Sequence, residues 1–226
     1  MNEKTKVWLF LGGVGILTLL LPYLFSRKKP KNSNKNKIKS DFKKKLVDLA
    51  NKEWDKWNKS GKVTKEGSQD TIQDLRDYYE IGTKTKSSDS YYIDTAWSST
   101  FISYLMREAG AGDDFKYNLS HSIYITDAIK NKLENNNKKF KGYKPDEVDV
   151  EIGDLVCYPR DKGITYNTNA PYISHCDLIT EINGNIAVGI GGNVSNSVSK
   201  KNYNLKDGKI DEAKSSSVFV VIKNLK

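Results

Sequence analysis

In the first half of the chain, after an apolar N-terminal run, apolar residues recur every three or four positions, the spacing of amphipathic helices. Such helices begin at small polar caps and end at glycine or asparagine. The pattern predicts four of them: Ser40 to Gly61, Ile72 to Gly82, Asp94 or Thr95 to Gly110, and Ser120 to Asn135. We expect the Trp and Tyr residues of the first two helices to pack in the core.

The second half of the chain consists of short runs of β-forming residues divided by turn residues. Five strands are predicted: Asp154 to Tyr158, Cys176 to Ile182, Asn185 to Ile190, Ser195 to Ser199, and Ser217 to Ile222. Asn183-Gly184 is a tight-hairpin signal, and Asp207-Gly208 marks a further turn. Helices followed by antiparallel strands indicate an α+β domain in which N-terminal helices pack on a sheet.

The N-terminal run from Val7 to Phe25 carries no charge and is long enough to cross a bilayer as a helix. We interpret it as a single membrane anchor held in the lipid bilayer. A cleaved signal peptide is the alternative, although no A-x-A-like site follows. Residues 1–6 then form a short tail, the basic low-complexity segment 26–40 a flexible linker, and residues 41–226 the folded domain.

Positive charge is concentrated ahead of the folded domain. The whole chain carries a net charge of +9, but residues 1–40 hold nine Lys or Arg and the single acid Glu3. The domain is therefore nearly neutral and has no recognisable nucleic-acid module, which argues against a nucleic-acid partner. The basic segment is suited to anionic lipid headgroups or cell-wall polymer. The sequence carries no signal for an oligomeric state.

The third predicted helix places hydroxyl groups where its backbone amides are free. Ser98 falls in the first turn, where those amides and the helix dipole favour a nucleophile or an oxyanion. Ser99 is the second choice, because it faces a different direction on the helix. The competing interpretation is that both serines only help to cap a buried helix.

Two histidines are available as a base for a nucleophilic serine. His175 is favoured, because it enters a strand of the sheet against which the central helix should pack. His121 begins the fourth helix and is the alternative. Asn193 and Asp177 are the nearest residues in sequence that can orient the imidazole of His175.

Five ordered blocks resemble a known family: Trp97 to Ser103; His121 with Tyr124; Gly153 to Cys157 with Arg160; His175 to Ile179; and Ile190 to Val194 with Ser197 and Val198. From about Lys45 onward the chain resembles the domain of unknown function 2272 family. That family is similar to the NlpC-type and CHAP cell-wall amidohydrolases, so the resemblance implies a papain-like fold.

The same resemblance implies roles for three residues. In the papain-like relatives a Cys at the start of the central helix attacks an amide, a His on the sheet is its base, and a polar residue on the next strand orients that His. By position these roles fall on Ser98, His175 and Asn193. Because Ser98 replaces the usual Cys, and a hydroxyl is a poorer nucleophile than a thiol, the resemblance is compatible with a serine hydrolase or with a binding module that kept the cleft.

The two cysteines, Cys157 and Cys176, fall on strands that we expect to be neighbours. They form either a disulfide, if the domain faces an oxidising space, or a pair of buried thiols. A zinc site that uses them is disfavoured, because His175 and Cys176 are adjacent in sequence and point to opposite strand faces. No cofactor and no metal are expected.

These features favour a membrane-anchored, papain-like hydrolase that cuts amide bonds of cell-wall peptide. Arg160 is then the expected partner of substrate carboxylates, with Trp97, His121 and Asp177 as further substrate-binding residues. The alternative is a non-catalytic wall-binding or structural domain, held at an envelope or in a membrane-containing virion. A wall substrate favours a domain outside the cytoplasm, whereas the basic flank after Phe25 favours the cytoplasmic side.

Overall fold

The computed structural model describes Ile38 and residues 40–226. Five α-helices come first in the chain: α1 Asp41–Trp57, α2 Ile72–Glu80, α3 Asp89–Asp94, α4 Ser98–Ala109 and α5 His121–Leu133. Seven strands follow: β1 Phe140–Tyr143, β2 Leu155–Pro159, β3 Ser174–Asn183, β4 Ile186–Gly191, β5 Ser199–Lys206, β6 Lys209–Ile210 and β7 Val220–Asn224. The fold is thus α+β, as the sequence predicts.

The predicted tail 1–6, the anchor 7–25 and nearly all of the linker 26–40 lie outside the described residues. Among the helices that are described, none has the length and apolar composition needed to cross a bilayer.

All strand pairs in the curled sheet are antiparallel, and the strand order is β1-β7-β2-β3-β4-β5-β6. The hairpin between β3 and β4 turns at Gly184, whose φ of 59° suits glycine. Asp207 and Gly208 turn between β5 and β6. Both predicted turns are confirmed.

One face of the sheet carries the main core. Cys157, Cys176, Leu178 and Ile190 are buried in one cluster with apolar residues of α1, α4 and α5. The other face carries a smaller core that includes Val156, Ile179 and Tyr203. Residues two apart on a strand share a face, so His175 and Asp177 lie on the side of β3 opposite to Cys176.

The prediction that Cys157 and Cys176 lie on neighbouring strands is confirmed. Cys157 on β2 lies directly opposite Cys176 on β3, the Cα atoms are 4.1 Å apart, and the two residues form a disulfide. The bond therefore joins the two strands beside His175, the residue that precedes Cys176 on β3.

Asp154 ties the start of β2 to β7 and to the preceding loop. Its buried carboxylate accepts hydrogen bonds from the backbone amides of Asn224, at 3.0 Å, and Glu151, at 2.8 Å, and it pairs with Lys223. Burial raises the pKa of Asp154, and Lys223 opposes that rise. These contacts give the segment Gly153-Asp154-Leu155 a structural role, because they tie the start of β2 to β7.

Several predicted elements differ from the structure. Ser195 to Ser199 is not a strand, because Asn193, Ser195 and Asn196 have left-handed φ angles and form a loop; β5 begins only at Ser199. The cap of the central helix is Trp97 rather than Asp94 or Thr95. Asp94 instead ends the short helix α3, which the sequence pattern did not predict, and strand β1 was also missed. The predicted cap Ser40 is confirmed, since its Oγ accepts from the amide of Lys43.

Candidate functional site

Ser98 is the first residue of α4, and its side chain sits at the N-terminus of that helix. The first intrahelical hydrogen bond runs from the amide of Phe101 to the carbonyl of Trp97, at 3.0 Å. The amides of the preceding residues therefore have no acceptor within the helix. Ser98 lies at the positive end of the α4 dipole, with donors beside it that can stabilise an oxyanion.

His121 contacts the hydroxyl of Ser98. The distance from His121 Nε2 to Ser98 Oγ is 2.7 Å, which is a good hydrogen-bond distance. The two residues each begin a helix, α5 and α4, so the N-termini of these helices meet at the site. The expected contact between Ser98 and a ring nitrogen is present, but it is made by the second of the two sequence candidates.

Two other hydroxyls of α4 explain why His121 reaches Ser98. Ser99 Oγ donates to the carbonyl of Asn118 at 2.8 Å, and Ser103 Oγ accepts from the amide of Asn118 at 3.3 Å. Residues four apart on a helix lie on one face, so Ser99 and Ser103 form a polar edge along α4. That edge fixes the segment just before α5, and His121 is placed beside Ser98 as a result.

The other ring nitrogen of His121 is occupied by Tyr124, one turn further along α5. Nδ1 makes a short hydrogen bond with the Tyr124 hydroxyl. When Nδ1–H donates to Tyr124, Nε2 is left as an acceptor for the Ser98 hydroxyl. Burial lowers the pKa of His121 well below its usual value, and electrostatic interactions with His175 and Arg160 lower it further. The imidazole is therefore neutral at neutral pH, as a general base must be.

His175 lies next to His121, and among the hydrogen bonds of the described residues none joins it to Ser98. The two imidazole centroids are 5.1 Å apart. His175 Nε2 is 2.8 Å from Asp177 Oδ1, and the Tyr203 hydroxyl donates to Asp177 Oδ2. The preference for His175 over His121 as the partner of Ser98 is thus corrected: Nε2 of His175 is engaged by Asp177, and its Nδ1 faces Arg160 Nη2 at 3.4 Å.

Asp177, not Asn193, is the residue that orients His175. Asp177 is two residues further along β3 and so shares a face with His175. Asn193 follows the end of β4 and has a φ of 54°, which turns the chain into a loop. No hydrogen bond joins Asn193 to either histidine within residues 40–226. Asp177 therefore makes the orienting contact that was one of the two alternatives, and its predicted substrate-binding role stays a prediction.

Trp97 is placed for packing. Its side chain is fully buried, stacks on Tyr78, packs at a tilt against Trp57, and donates its indole N–H to Glu66. An indole in this position has no free face for a substrate. Arg160, in contrast, is exposed at the end of β2, beside the His175 ring. The catalytic and binding roles assigned to these residues from the sequence stay predictions.

Tyr124 and Tyr203 are the site residues that sequence reasoning missed. Tyr124 follows His121 at helical spacing, which is a local signal for a shared face. Tyr203 has no such signal, because its contact with Asp177 depends on sheet pairing. Cys157 and Cys176 are joined to each other and have no free thiolate for a metal, and no cluster of three or more metal-ligating side chains occurs among the described residues.

The fold and the site together define an α+β domain in which the serine that begins a helix is paired with a buried histidine. A family model described as an uncharacterized protein conserved in bacteria, domain of unknown function 2272, matches residues 52–221. The chain belongs to that family. Searches of curated proteins and of solved structures gave no match.

Proposed function

We propose that the domain is a serine hydrolase that cleaves amide bonds, with Ser98 as nucleophile and His121 as general base. The observation that supports this most directly is the 2.7 Å hydrogen bond between Ser98 Oγ and His121 Nε2 at the N-terminus of α4. A hydroxyl is a weak nucleophile by itself, and a neutral imidazole in contact with it supplies the required base.

In the proposed reaction Ser98 Oγ attacks the amide carbon while His121 Nε2 takes the hydroxyl proton. The negative charge on the carbonyl oxygen is stabilised by the free amides at the start of α4. His121 then gives its proton to the leaving amine, which departs and leaves an acyl ester on Ser98. Water hydrolyses the ester with His121 again acting as base, and the free serine is restored.

His175 and Asp177 form a second histidine–carboxylate pair behind His121. Asp177 fixes the orientation of His175, whose ring packs against the His121 ring. We assign this pair a positioning role. It also offers a second base, if substrate binding displaces Arg160 from Nδ1 of His175.

The substrate class is proposed from the resemblance to the papain-like cell-wall amidohydrolases. Cell-wall peptide is the substrate that this resemblance implies, and a papain-like arrangement accounts for a nucleophile at the start of a helix packed on an antiparallel sheet. The disulfide supports a location in an oxidising space, since such bonds persist there. If the domain lies outside the cytoplasm, a membrane anchor at residues 7–25 would hold it beside the wall.

One observation favours the second candidate, a non-catalytic wall-binding or structural domain. Ser98 is 8% exposed, His121 is 4% exposed, and His175 and Asp177 are fully buried. A substrate carbonyl reaches Ser98 only if the segments around it move. A binding domain of the same fold needs no such movement.

The test uses the full-length chain, purified in mild detergent and incubated with peptidoglycan fragments whose products are read by mass spectrometry. We expect cleaved peptides from the natural chain and none from Ser98→Ala, whose melting temperature should fall because buried His121 Nε2 loses its hydrogen-bond partner. Ser98→Cys, which restores the thiol of the relatives, should cleave at least as well.

Ser99→Ala is the matched control on the neighbouring serine. It removes the hydrogen bond to Asn118 and should lower the melting temperature while part of the turnover remains. Turnover by Ser98→Ala at the natural rate would contradict the mechanism. A lack of turnover in both the natural chain and Ser98→Cys would favour the binding domain.

A further inference from the structure

Two cations lie beside the His175 side of the site. Arg160 Nη2 is 3.4 Å from His175 Nδ1, at the end of β2. Lys201, on β5, places its Nζ 3.8 Å from the centroid of the Tyr158 ring. The Tyr158 ring is in turn 5.3 Å from the imidazole of His175, centroid to centroid. Arg160 and Lys201 therefore both lie beside the neighbouring rings of His175 and Tyr158, next to the proposed catalytic residues.

Neither cation is neutralised by an acid among the described residues. Asp177 is the acidic group close to both, but its oxygens are occupied by His175 and Tyr203. Desolvation lowers the pKa of Lys201, Asp177 acts in the opposite direction, and the positive charge of Arg160 lowers it further. The positive charges of Arg160 and Lys201 repel each other, so an anion bound between them would stabilise both side chains.

The accessibility of the three side chains suits a ligand from solvent. Arg160 is exposed, and Tyr158 and Lys201 are half-buried. Arginine binds a carboxylate through two parallel N–H groups, and lysine adds a point charge. The Tyr158 ring gives an apolar surface for the carbon atoms that carry such a carboxylate.

We propose that Arg160, Lys201 and Tyr158 form a carboxylate-binding subsite, and that the substrate is a peptide with a free carboxylate close to the amide that is cleaved. The claim that the bound peptide is a substrate rests on the proposed hydrolase function. The carboxylate-binding subsite does not depend on that function, because binding alone tests it. It adds Lys201 and Tyr158 to the role that the sequence suggested for Arg160 alone, and it gives the site a preference for anionic peptides over neutral ones.

Binding is measured with the full-length Ser98→Ala chain, so that turnover plays no part. The probes are acetyl-alanyl-alanine with a free carboxylate and the same dipeptide with a C-terminal amide, titrated by calorimetry at constant ionic strength. We expect the acid to bind about tenfold more tightly than the amide, because a charge-assisted hydrogen bond is lost with the carboxylate.

Arg160→Gln and Lys201→Met should each remove most of that difference, whereas Lys201→Arg should keep it. Lys200→Met is the matched control. Lys200 is the preceding residue of β5, and its Nζ lies 3.7 Å from the Trp54 ring instead of Tyr158. Its removal should leave the preference for the acid unchanged. Circular dichroism melts verify that each variant is folded.

Equal binding of acid and amide, or no binding of either, overturns the subsite. So does an equal loss of affinity in Lys200→Met and Lys201→Met. If the acid binds as expected while the natural chain cleaves no peptidoglycan fragment, the subsite stands and the hydrolase proposal fails, so the two failures are told apart.

Discussion

Tyr203 donates a hydrogen bond to Asp177 although strand β4 lies between the strands that carry them. Neighbouring strands are about 4.8 Å apart, so the two backbones are separated by roughly 10 Å. The contact is made over β4 at Gly189 and Gly191. A Cβ on Gly189 would lie 2.8 Å from Asp177 Cβ and 3.0 Å from Tyr203 Cε2. Because Gly189 and Gly191 have no side chains, β4 leaves the space that the Asp177 side chain occupies.

Gly191→Ala should disrupt the His175–Asp177 pair. The added Cβ would lie 1.9 Å from Asp177 Oδ1 and 2.8 Å from His175 Nε2, so both side chains must move. We expect a loss of about 1–3 kcal/mol in the free energy of unfolding, as for other overpacked cores, and a change in the His175 ring signals by NMR.

Gly163→Ala is the control for this substitution, because an added Cβ there meets no atom within 4 Å. Its φ of 76° strains an alanine, whereas Gly191 does not have a left-handed φ, so the two variants are compared by their His175 signals and not by their unfolding free energies. Unchanged His175 signals in Gly191→Ala would show that the close approach at Gly191 is wrong.

Tyr203→Phe should weaken the fold without changing its shape. The substitution leaves Asp177 Oδ2 buried without its donor, at a cost of about 1–3 kcal/mol. Urea unfolding measures this loss. Tyr143→Phe is the control, since the Tyr143 hydroxyl has no hydrogen bond to a described residue. Equal effects of the two substitutions would contradict the contact.

Stability should fall in acid because of His121. Burial holds the folded pKa of His121 well below the ordinary histidine value of 6.5, so below pH 6.5 the unfolded chain binds a proton that the folded chain does not. The stabilisation is complete above pH 6.5 and is lost as the pH falls towards the folded pKa. The slope contributed by this one group is at most about 1.4 kcal/mol per pH unit.

The measurement is urea unfolding of the natural chain and of His121→Gln between pH 7.5 and pH 5. The natural chain should lose more stability than the variant over this interval, because glutamine does not titrate. Parallel pH profiles would mean that His121 titrates normally in the folded protein.

Replacement of both cysteines by alanine should cost about 3 kcal/mol of unfolding free energy. The disulfide closes a loop with a sequence separation of 19 residues, and the loss of that constraint in the unfolded state sets the magnitude. Thermal and urea unfolding of the double variant measure it. The single variants serve as controls for a lone buried thiol, and a double variant as stable as the natural chain would contradict the cross-link.

Local signals in the sequence predicted much of the fold. The Ser40 cap and the Asn183-Gly184 hairpin depend on neighbouring residues only, and both are confirmed. Strand β1 was missed because its four residues include Gly142, whose place in the sheet depends on close packing against Ile129 of α5. Strand β5 is mostly polar, and its pairing with β4 decides its conformation.

The candidate site was predicted where it depends on local sequence pattern and was not predicted where it depends on tertiary contacts. The position of Ser98 at the start of a helix follows from local pattern and is confirmed. The histidine that contacts it depends on how Asn118 is bound by Ser99 and Ser103, a tertiary contact that spacing along the chain does not reveal. The pairing of His175 with Asp177 was available from strand alternation, yet Asn193 was preferred because of the resemblance to papain-like enzymes.

The buried position of Trp97 beside Ser98 makes the intrinsic tryptophan fluorescence of the domain sensitive to changes at the site. Trp97 directly precedes Ser98, is fully buried, and has its ring centroid 5.1 Å from that of Trp57, which is also buried. Indole emission moves to longer wavelength when the ring meets water, so any opening at the N-terminus of α4 changes the intrinsic fluorescence of the protein. Stopped-flow fluorescence can therefore detect any movement that exposes Ser98, without a label attached to the chain.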